Sequence, residues 1–458
     1  MGQRLYQGLT FAPFRPDAGI RVSIGGFATM FRRLLLLTIL ISMTYFATGN
    51  CAASTGTIAT TTIRWADLEP KENEFRWDLI DRIASNDRLS VQMEGDATPT
   101  WVYHKSEAPF VVCMEHHKIG GSISPWSKRY ADCCAHLGRA LAQHCVSNPM
   151  LQVVRLDFRA MVSLGSNVHR HPGLWAGDAL AHNDFGLWLV RLYGGNGPFR
   201  DAWGEMAGET AYVYPFTHTG APGFRQWLDL CNWYGQSRLL PALAAIAAFR
   251  QVNAKTTLVL SPPDEDDVRY APFDHLSESL KRLNCDLDIG STTGILQNLR
   301  TSSATSHGVS VWFNEASIST LPNRIAVCYP ESENRLFGDA GKTGWVRLQG
   351  LVHAKWIAES DVCATSLAKV DTLILPNARY LELRACDAIR VWVRGGGRLI
   401  LAKVGNGIKT IEGDELLSDQ HPGVGKDFGK GAIKVFHGDP GSPEFEAVIL
   451  KANRTDRD

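Results

Sequence analysis

The chain has no surplus of either charge, because Lys plus Arg and Asp plus Glu each total 47. Nucleic acid is therefore not an expected partner, since its binding rests on a basic face that neutralises phosphates. The 10 cysteines form no C-x-x-C pair and no Cys/His grouping at zinc spacing, which argues against a structural zinc site. His116-His117 and His169-Arg170-His171 lack a nearby third ligand, and Asp264 to Asp267 lacks the oxygen pattern of a calcium loop, so all three read as solvated loops and no metal is expected. There is no repeat, no low-complexity tract and no G-x-S-x-G nucleophile elbow. A phosphate loop is also missing. Gly395-Gly396-Gly397 follows a helical pattern and opens a strand, the reverse of the order that aims helix amides at an anion, so these glycines read as a helix C-terminal turn.

What is present is a chain of 458 residues, enough for two or three domains at ~150 residues each. Thirteen Trp residues are many, and several stand beside Pro, Gly or charged residues, where an indole can serve either as a sugar-stacking face or as core filler. Arg32 and Arg33 precede the apolar run Leu34 to Ala47, and small or polar residues follow to Ala53. That order is an export signal, with Met30 as a natural start, and the run is short for a span of ~20 residues. Export to the periplasm or the exterior is the expectation, and an uncleaved membrane anchor is the alternative. In an oxidising compartment, Cys113 with Cys133, Cys134 or Cys145 is the local group to test for a disulfide.

From Ser54 to about Pro322, β-rich runs alternate with amphipathic helical stretches, the pattern of parallel strands covered by helices. Expected strands are Thr61 to Trp65, Leu89 to Glu94, Leu151 to Phe158, Thr256 to Leu260, Leu287 to Gly290 and Gly308 to Phe313. Expected helices are Arg76 to Ser85, Ser127 to Cys145, Asn183 to Tyr193, Gly223 to Asn253 and Asp274 to Leu283. The fold class is α/β, a TIM-type (β/α)8 barrel followed by a flavodoxin-like domain. That second domain restarts near Arg324 with the strand RIAVCYP, a helix within Thr343 to Glu359, the strand DTLILP, a helix Tyr380 to Val393 and the strand RLILAK. The division is 1–53 as extension and export signal, 54–322 as barrel, 323–405 as α/β domain and 406–458 as a poorly defined tail with two weak strands, AIKVF and EAVIL.

Four segments carry a resemblance: WADLEPKENEFRWDLID (65 to 81), TPTW (98 to 101), DFGLWLVRLYG (184 to 194) and DAWG (201 to 204). In this order they resemble the family-42 β-galactosidases of glycoside hydrolase clan A. Arg324 to Lys403, with YPES, LILP and WVRGGGRLI, resembles the amidotransferase-like trimerisation domain that follows the barrel in that family. The resemblance implies a carbohydrate substrate, a homo-oligomer (trimer) through the α/β domain and no cofactor. It also implies a complete strand and helix before the first motif, yet only about seven residues separate Ala53 from Thr61, so the barrel is expected either to lack its first strand–helix unit or to build it imperfectly from residues 49 to 60.

A retaining glycosidase needs two carboxylates ~5 to 5.5 Å apart, one as nucleophile and one as acid/base. Glu315 follows the apolar run Val309 to Phe313, emerges where a late strand meets the rim, and matches the nucleophile position that the resemblance implies. The family's acid/base glutamate is replaced here by Arg159 in the run Leu156-Asp157-Phe158-Arg159, and an arginine with a pKa above ~12 cannot donate a proton at working pH. Asp157 is the substitute on the same strand face, with Glu94 and Glu205 as outside candidates. Arg64, Trp65, Trp101, Arg159, Trp312 and Asn314 are the candidate substrate-binding residues. Trp65 is placed at the strand C-terminal rim, where barrel active sites assemble. Trp65 and Trp101 can each be a sugar platform or a loop anchor, and Glu69 and Pro70 read as turn residues. Two outcomes stay open, a retaining hydrolase and a catalytically silent carbohydrate-binding or oligomerising protein on the same scaffold.

Overall fold

The computed structural model describes residues 60–448 apart from breaks at 84–87, 107–109, 149, 160–173, 205–207, 211–212, 218–222, 264–269, 291–293, 314–315, 318–323, 339–353, 403–407, 413–414, 418–429, 437–441 and 446. The expected export segment, His169 to His171, Glu205, the Asp264 to Asp267 run, Asn314 and Glu315 lie outside the described residues. No helix among the described residues is long and apolar enough to cross a membrane.

The first sheet holds β1 (Thr60–Arg64), β2 (Arg88–Gln92), β5 (Val153–Asp157), β6 (Thr257–Ser261), β7 (Asp286–Asp288), β8 (Val311–Phe313) and the short β9 (Ala316–Ser317), side by side in that order. The six expected strands are these first six. All pair in parallel, and β9 turns back antiparallel on β8. A hairpin of β3 (Phe110–Val112) and β4 (Ile119–Ile123) stands apart from this sheet. Among the described residues the sheet is open, with β1 and β9 at its edges.

Alternation decides which side chains reach the helical layer. Ile63, Leu89, Val91, Val154, Leu156, Leu258, Leu260, Leu287 and Val311 enter one apolar core with Tyr130, Leu137 and Leu141 from the Lys128–Ser147 helix. Each such Leu or Val, when fully buried, contributes ~1.5 to 3 kcal/mol. The intervening positions, Arg88, Arg155, Asp157, Ser261, Asp286, Asp288 and Trp312, therefore share the other face. The Arg88 guanidinium lies 4.5 Å over the Trp312 ring. Because β2 and β8 are separated by β5, β6 and β7, that contact requires the sheet to curl round on itself as a barrel wall does.

Helices outside the sheet start where the sequence supplies caps. Ser127 Oγ accepts from the Tyr130 amide (3.2 Å), and Asp178 Oδ1 accepts from Leu180 (3.0 Å) and Ala181 (3.1 Å). The single helix expected over Gly223 to Asn253 is two, Phe224–Ser237 and Leu240–Val252, because Pro241 lacks an amide hydrogen and fits only in a first turn. The Arg76 to Ser85 expectation shrinks to Asp78–Asp81. Helices at Thr100–Ser106, Asn196–Trp203 and Gly294–Ser306 are additional to those expected.

The second sheet contains β10 (Ile325–Tyr329), β11 (Lys355–Ala358), β12 (Thr372–Pro376), β14 (Arg398–Ala402) and β17 (Ala432–Phe436), all parallel in the order β11-β10-β12-β14-β17. A small sheet of β13 (Tyr380–Leu381), β15 (Ile408–Thr410) and β16 (Glu415–Leu417) accompanies it. Two expectations are corrected. The described end of the helix expected within Thr343 to Glu359 is β11, because Trp356, Ile357 and Ala358 are a buried run beside β10. The segment read as a tail supplies β17, whose five residues pair with β14 in register. Gly395 to Gly397 close the Leu383–Arg394 helix, with the Gly395 amide on the Val391 carbonyl (3.1 Å) and Gly396 at φ 119. One face of this sheet packs under that helix through Ala385, Cys386 and Ile389. The other face, through Val327, Ile374 and Ile400, packs on Ala271, Phe273 and Leu299 from the barrel's own helical layer.

Candidate functional site

The ends of the parallel strands converge on a charged rim. At the end of β5, Asp157 is buried, and Arg159 reaches back to it. Arg159 Nε donates to Asp157 Oδ1 (2.8 Å), a terminal guanidinium nitrogen donates to Oδ2, and the Arg159 amide donates to Oδ1 (3.1 Å). At the end of β7, Asp288 Oδ2 accepts from Ser261 Oγ (2.7 Å) and lies 3.5 Å from Arg155 Nε, and Asp288 Oδ1 accepts from the Gly290 amide (3.0 Å). Trp312 on β8 donates its indole nitrogen to Asp286 Oδ2 (2.9 Å). Alternating charge in VRLDFR and DLD is the sequence signal for this lining, since every second residue of a barrel strand faces inward.

Glu94 stands just beyond β2, beside β5, where the Met93 amide binds the Asp157 carbonyl (2.9 Å). It is buried, takes the Tyr130 hydroxyl, and is pushed up to about 8 by loss of solvation. A carboxyl in that state is neutral at pH 7, and it is enclosed against the Lys128–Ser147 helix.

The remaining predicted residues separate into two groups. Arg64, at the end of β1, is exposed and paired with Asp67 (2.8 and 2.9 Å). Trp65 is fully buried and its indole nitrogen donates to Glu69 Oε2 (2.8 Å), so it offers no face for a sugar. Of the two readings, sugar platform or loop anchor, its burial and this bond fit the loop anchor. Trp65 opens a helical turn that points the ring into the core. Trp101 meets Trp65 edge to face at 6.0 Å and donates to the Glu69 carbonyl (3.0 Å). It lines a cavity of about 320 Å³ with Glu72, Lys105, Arg129, Asp132, Cys133 and His136, most of them on the Lys128–Ser147 helix rather than on the sheet's inner face. Glu69 is more than a turn residue, for its fully buried carboxylate also takes the Asn73 amide (2.9 Å) and contacts His136 Nε2 (3.1 Å).

Asp157, Arg159 and Trp312 therefore remain as candidates that the described fold places on the strands' inner face, with Asn314 and Glu315 following β8 in sequence. His116 and His117 are exposed, as expected of a solvated loop, and none of the nine described cysteines, Cys113, Cys133, Cys134 and Cys145 among them, is in a disulfide.

No protein-family model and no curated protein matches this sequence. Solved structures do match. A GH42 β-galactosidase from G. stearothermophilus, in a catalytic-mutant form, superposes with a TM-score of 0.55 at 13% identity over 86% of this chain and 72% of that one. The GH42 exo-carrageenase from Bacteroides ovatus gives 0.58 at 10% identity, covering 87% and 68%. The β-galactosidase from Bacillus circulans sp. alkalophilus gives 0.52 at 13%, covering 77% and 68%. The chain thus has the α/β fold of GH42 β-galactosidases, and the likeness is one of fold.

Proposed function

We propose that this chain is a glycoside hydrolase-like protein that takes the end of a galactoside-type carbohydrate at the C-terminal ends of its barrel strands, with Glu315 as nucleophile of a retaining double displacement. The observation that carries the reading is the GH42 fold itself, which ends here in an inward rim of Asp157, Arg159 and Trp312. Glu315 attacks the anomeric carbon and the aglycone departs, after which water releases the sugar with net retention. The leaving oxygen ordinarily needs a proton, and the carboxylate at the end of β5 is committed to Arg159. Glycosides whose leaving group departs as a stable anion do not need that proton. Nitrophenyl galactosides are accordingly the expected substrates, turned over ~10²- to 10⁴-fold faster than alkyl galactosides. A sugar panel of aryl glycosides tests this with the parent and Glu315→Gln. No turnover of any aryl β-glycoside, or equal activity in the variant, defeats the mechanism.

The clasp of Arg159 on Asp157 favours a second reading, a carbohydrate-binding protein on the same scaffold that has lost hydrolysis. Calorimetry with galacto-oligosaccharides would then show affinity without turnover, and an absence of both counts against this reading.

A further inference from the structure

The described residues hold one grouping of His and carboxylate atoms whose geometry suits a metal ion, and it joins two helices of the barrel layer to the α/β domain. Asp274 stands in the first turn of the Phe273–Arg282 helix, His307 just past the Gly294–Ser306 helix, and Asp361 beyond the C-terminal end of β11. One ligand atom from each lies within 4.8 Å of the other two. Far apart in sequence, these three residues show no ligand spacing, which is why sequence reading expected no metal here.

The groups around this cluster are specific. His307 Nδ1 lies 2.9 Å from the Ser303 carbonyl, which makes it the protonated nitrogen and leaves the Nε2 lone pair facing Asp274 Oδ1 at 3.1 Å. A backbone carbonyl on the far nitrogen is how a metal-binding imidazole is commonly oriented. Arg384 approaches the other Asp274 oxygen at 3.7 Å. Asp361 is 6% exposed, and neither carboxylate oxygen has a hydrogen-bond partner at close geometry, the Ser303 hydroxyl making only a weak approach. His307 Nδ1 lies 4.0 Å from Oδ1 but is already committed to Ser303, and the Lys355 ammonium acts on this carboxylate only at longer range. The buried Glu331 carboxylate in the same quarter adds further negative potential. A buried carboxylate without a strong donor is costly unless a proton or a cation compensates it.

We propose that Asp274, His307 and Asp361 bind a first-row divalent cation of the zinc or manganese class, which clasps the α/β domain to the barrel's helices. Two carboxylate oxygens and one imidazole nitrogen are the donor set such ions accept, with water completing the shell. Bonds of ~2.0 to 2.2 Å require the three side chains to draw together by small rotations. The site needs no catalytic residue and stands whether or not Glu315 is a nucleophile.

The test uses the full chain after chelator dialysis. Calorimetric titration with Zn²⁺ should show one ion per chain and a raised melting temperature, and Co²⁺ should give visible absorption bands from a site containing a nitrogen ligand. His307→Gln should weaken binding at least ~10-fold. Asp361→Asn should abolish the metal response and, at pH 8 without metal, melt higher than the parent, because it removes an uncompensated buried charge. The proposal fails if the parent binds no Zn²⁺ below ~100 μM. It fails equally if the Co²⁺ spectrum survives both substitutions, or if metal-free Asp361→Asn melts below the parent.

Discussion

Arg159 holds Asp157 through both carboxylate oxygens and through its own backbone amide, so the only carboxylate described at the end of β5 is fully committed within its own strand. The same two residues thus decide between hydrolysis of activated substrates and a silent scaffold.

Arg159→Glu should place a carboxyl where the proposed mechanism lacks a proton donor. Placed beside Asp157, it would retain its proton more readily, because like charges disfavour double ionisation. The expected outcome is a rise of ~10²- to 10⁴-fold in kcat/KM for alkyl galactosides, with a smaller gain for nitrophenyl ones. Equal gains for both classes, or none, would remove leaving-group protonation as the missing function.

Glu69 supports the first motif from below. Glu69→Ala should cost about 3 kcal/mol in chemical denaturation, since the buried Trp65 indole loses its acceptor and the part-buried bond from the Asn73 amide goes with it. A loss under ~1 kcal/mol would show that the turn holds without it.

Glu94 gives the protein a pH-dependent stability of known sign. Its ordinary value of 4.5 is raised to about 8 by burial. Between those values the folded state keeps a proton that the unfolded chain has lost, so this contribution is present at low pH and fades as pH rises through 8. Glu94→Gln keeps an acceptor for Tyr130 and cannot ionise. Its melting temperature should exceed the parent's at pH 9, with the gap closing towards pH 5. Glu359, also raised to about 8 by burial, slopes the same way in both proteins and cancels in the comparison.

Gly138 lets the Lys128–Ser147 and Leu240–Val252 helices touch. A Cβ at this position would lie 2.2 Å from the Ala245 carbonyl oxygen. Gly138→Ala should therefore destabilise by ~1 to 3 kcal/mol, although alanine is the better helix former. An unchanged or raised melting point would mean that the helices separate freely.

Strand existence and order were legible because the six barrel strands carry short apolar runs whose alternate residues must enter one core. Helix limits were less so. The break before Pro241 was visible as a proline, but the length of amphipathic pattern around it outweighed that single residue. The AIKVF segment carried a strand pattern too weak to place, and only pairing with β14 gives it a sheet. In the candidate site, Asp157 and Arg159 could be put on one face by their spacing alone. Trp65 could not, for a tryptophan ending a strand is equally able to face a ligand or the core, and the turn that Glu69 stabilises turns it inward.

By itself the sequence determined the periods, caps and turns: two successive α/β units, parallel strands, and alternating charge in VRLDFR and DLD. These follow from local sterics and from the need to bury one face of each element. The tertiary structure alone decided that Arg88 meets Trp312, that Glu69 anchors Trp65 and Trp101, and that Asp274, His307 and Asp361 share one corner. Those contacts depend on how far the sheet curls and how helices from distant segments dock. Both are set by the sum of many packing contacts rather than by any one stretch of chain.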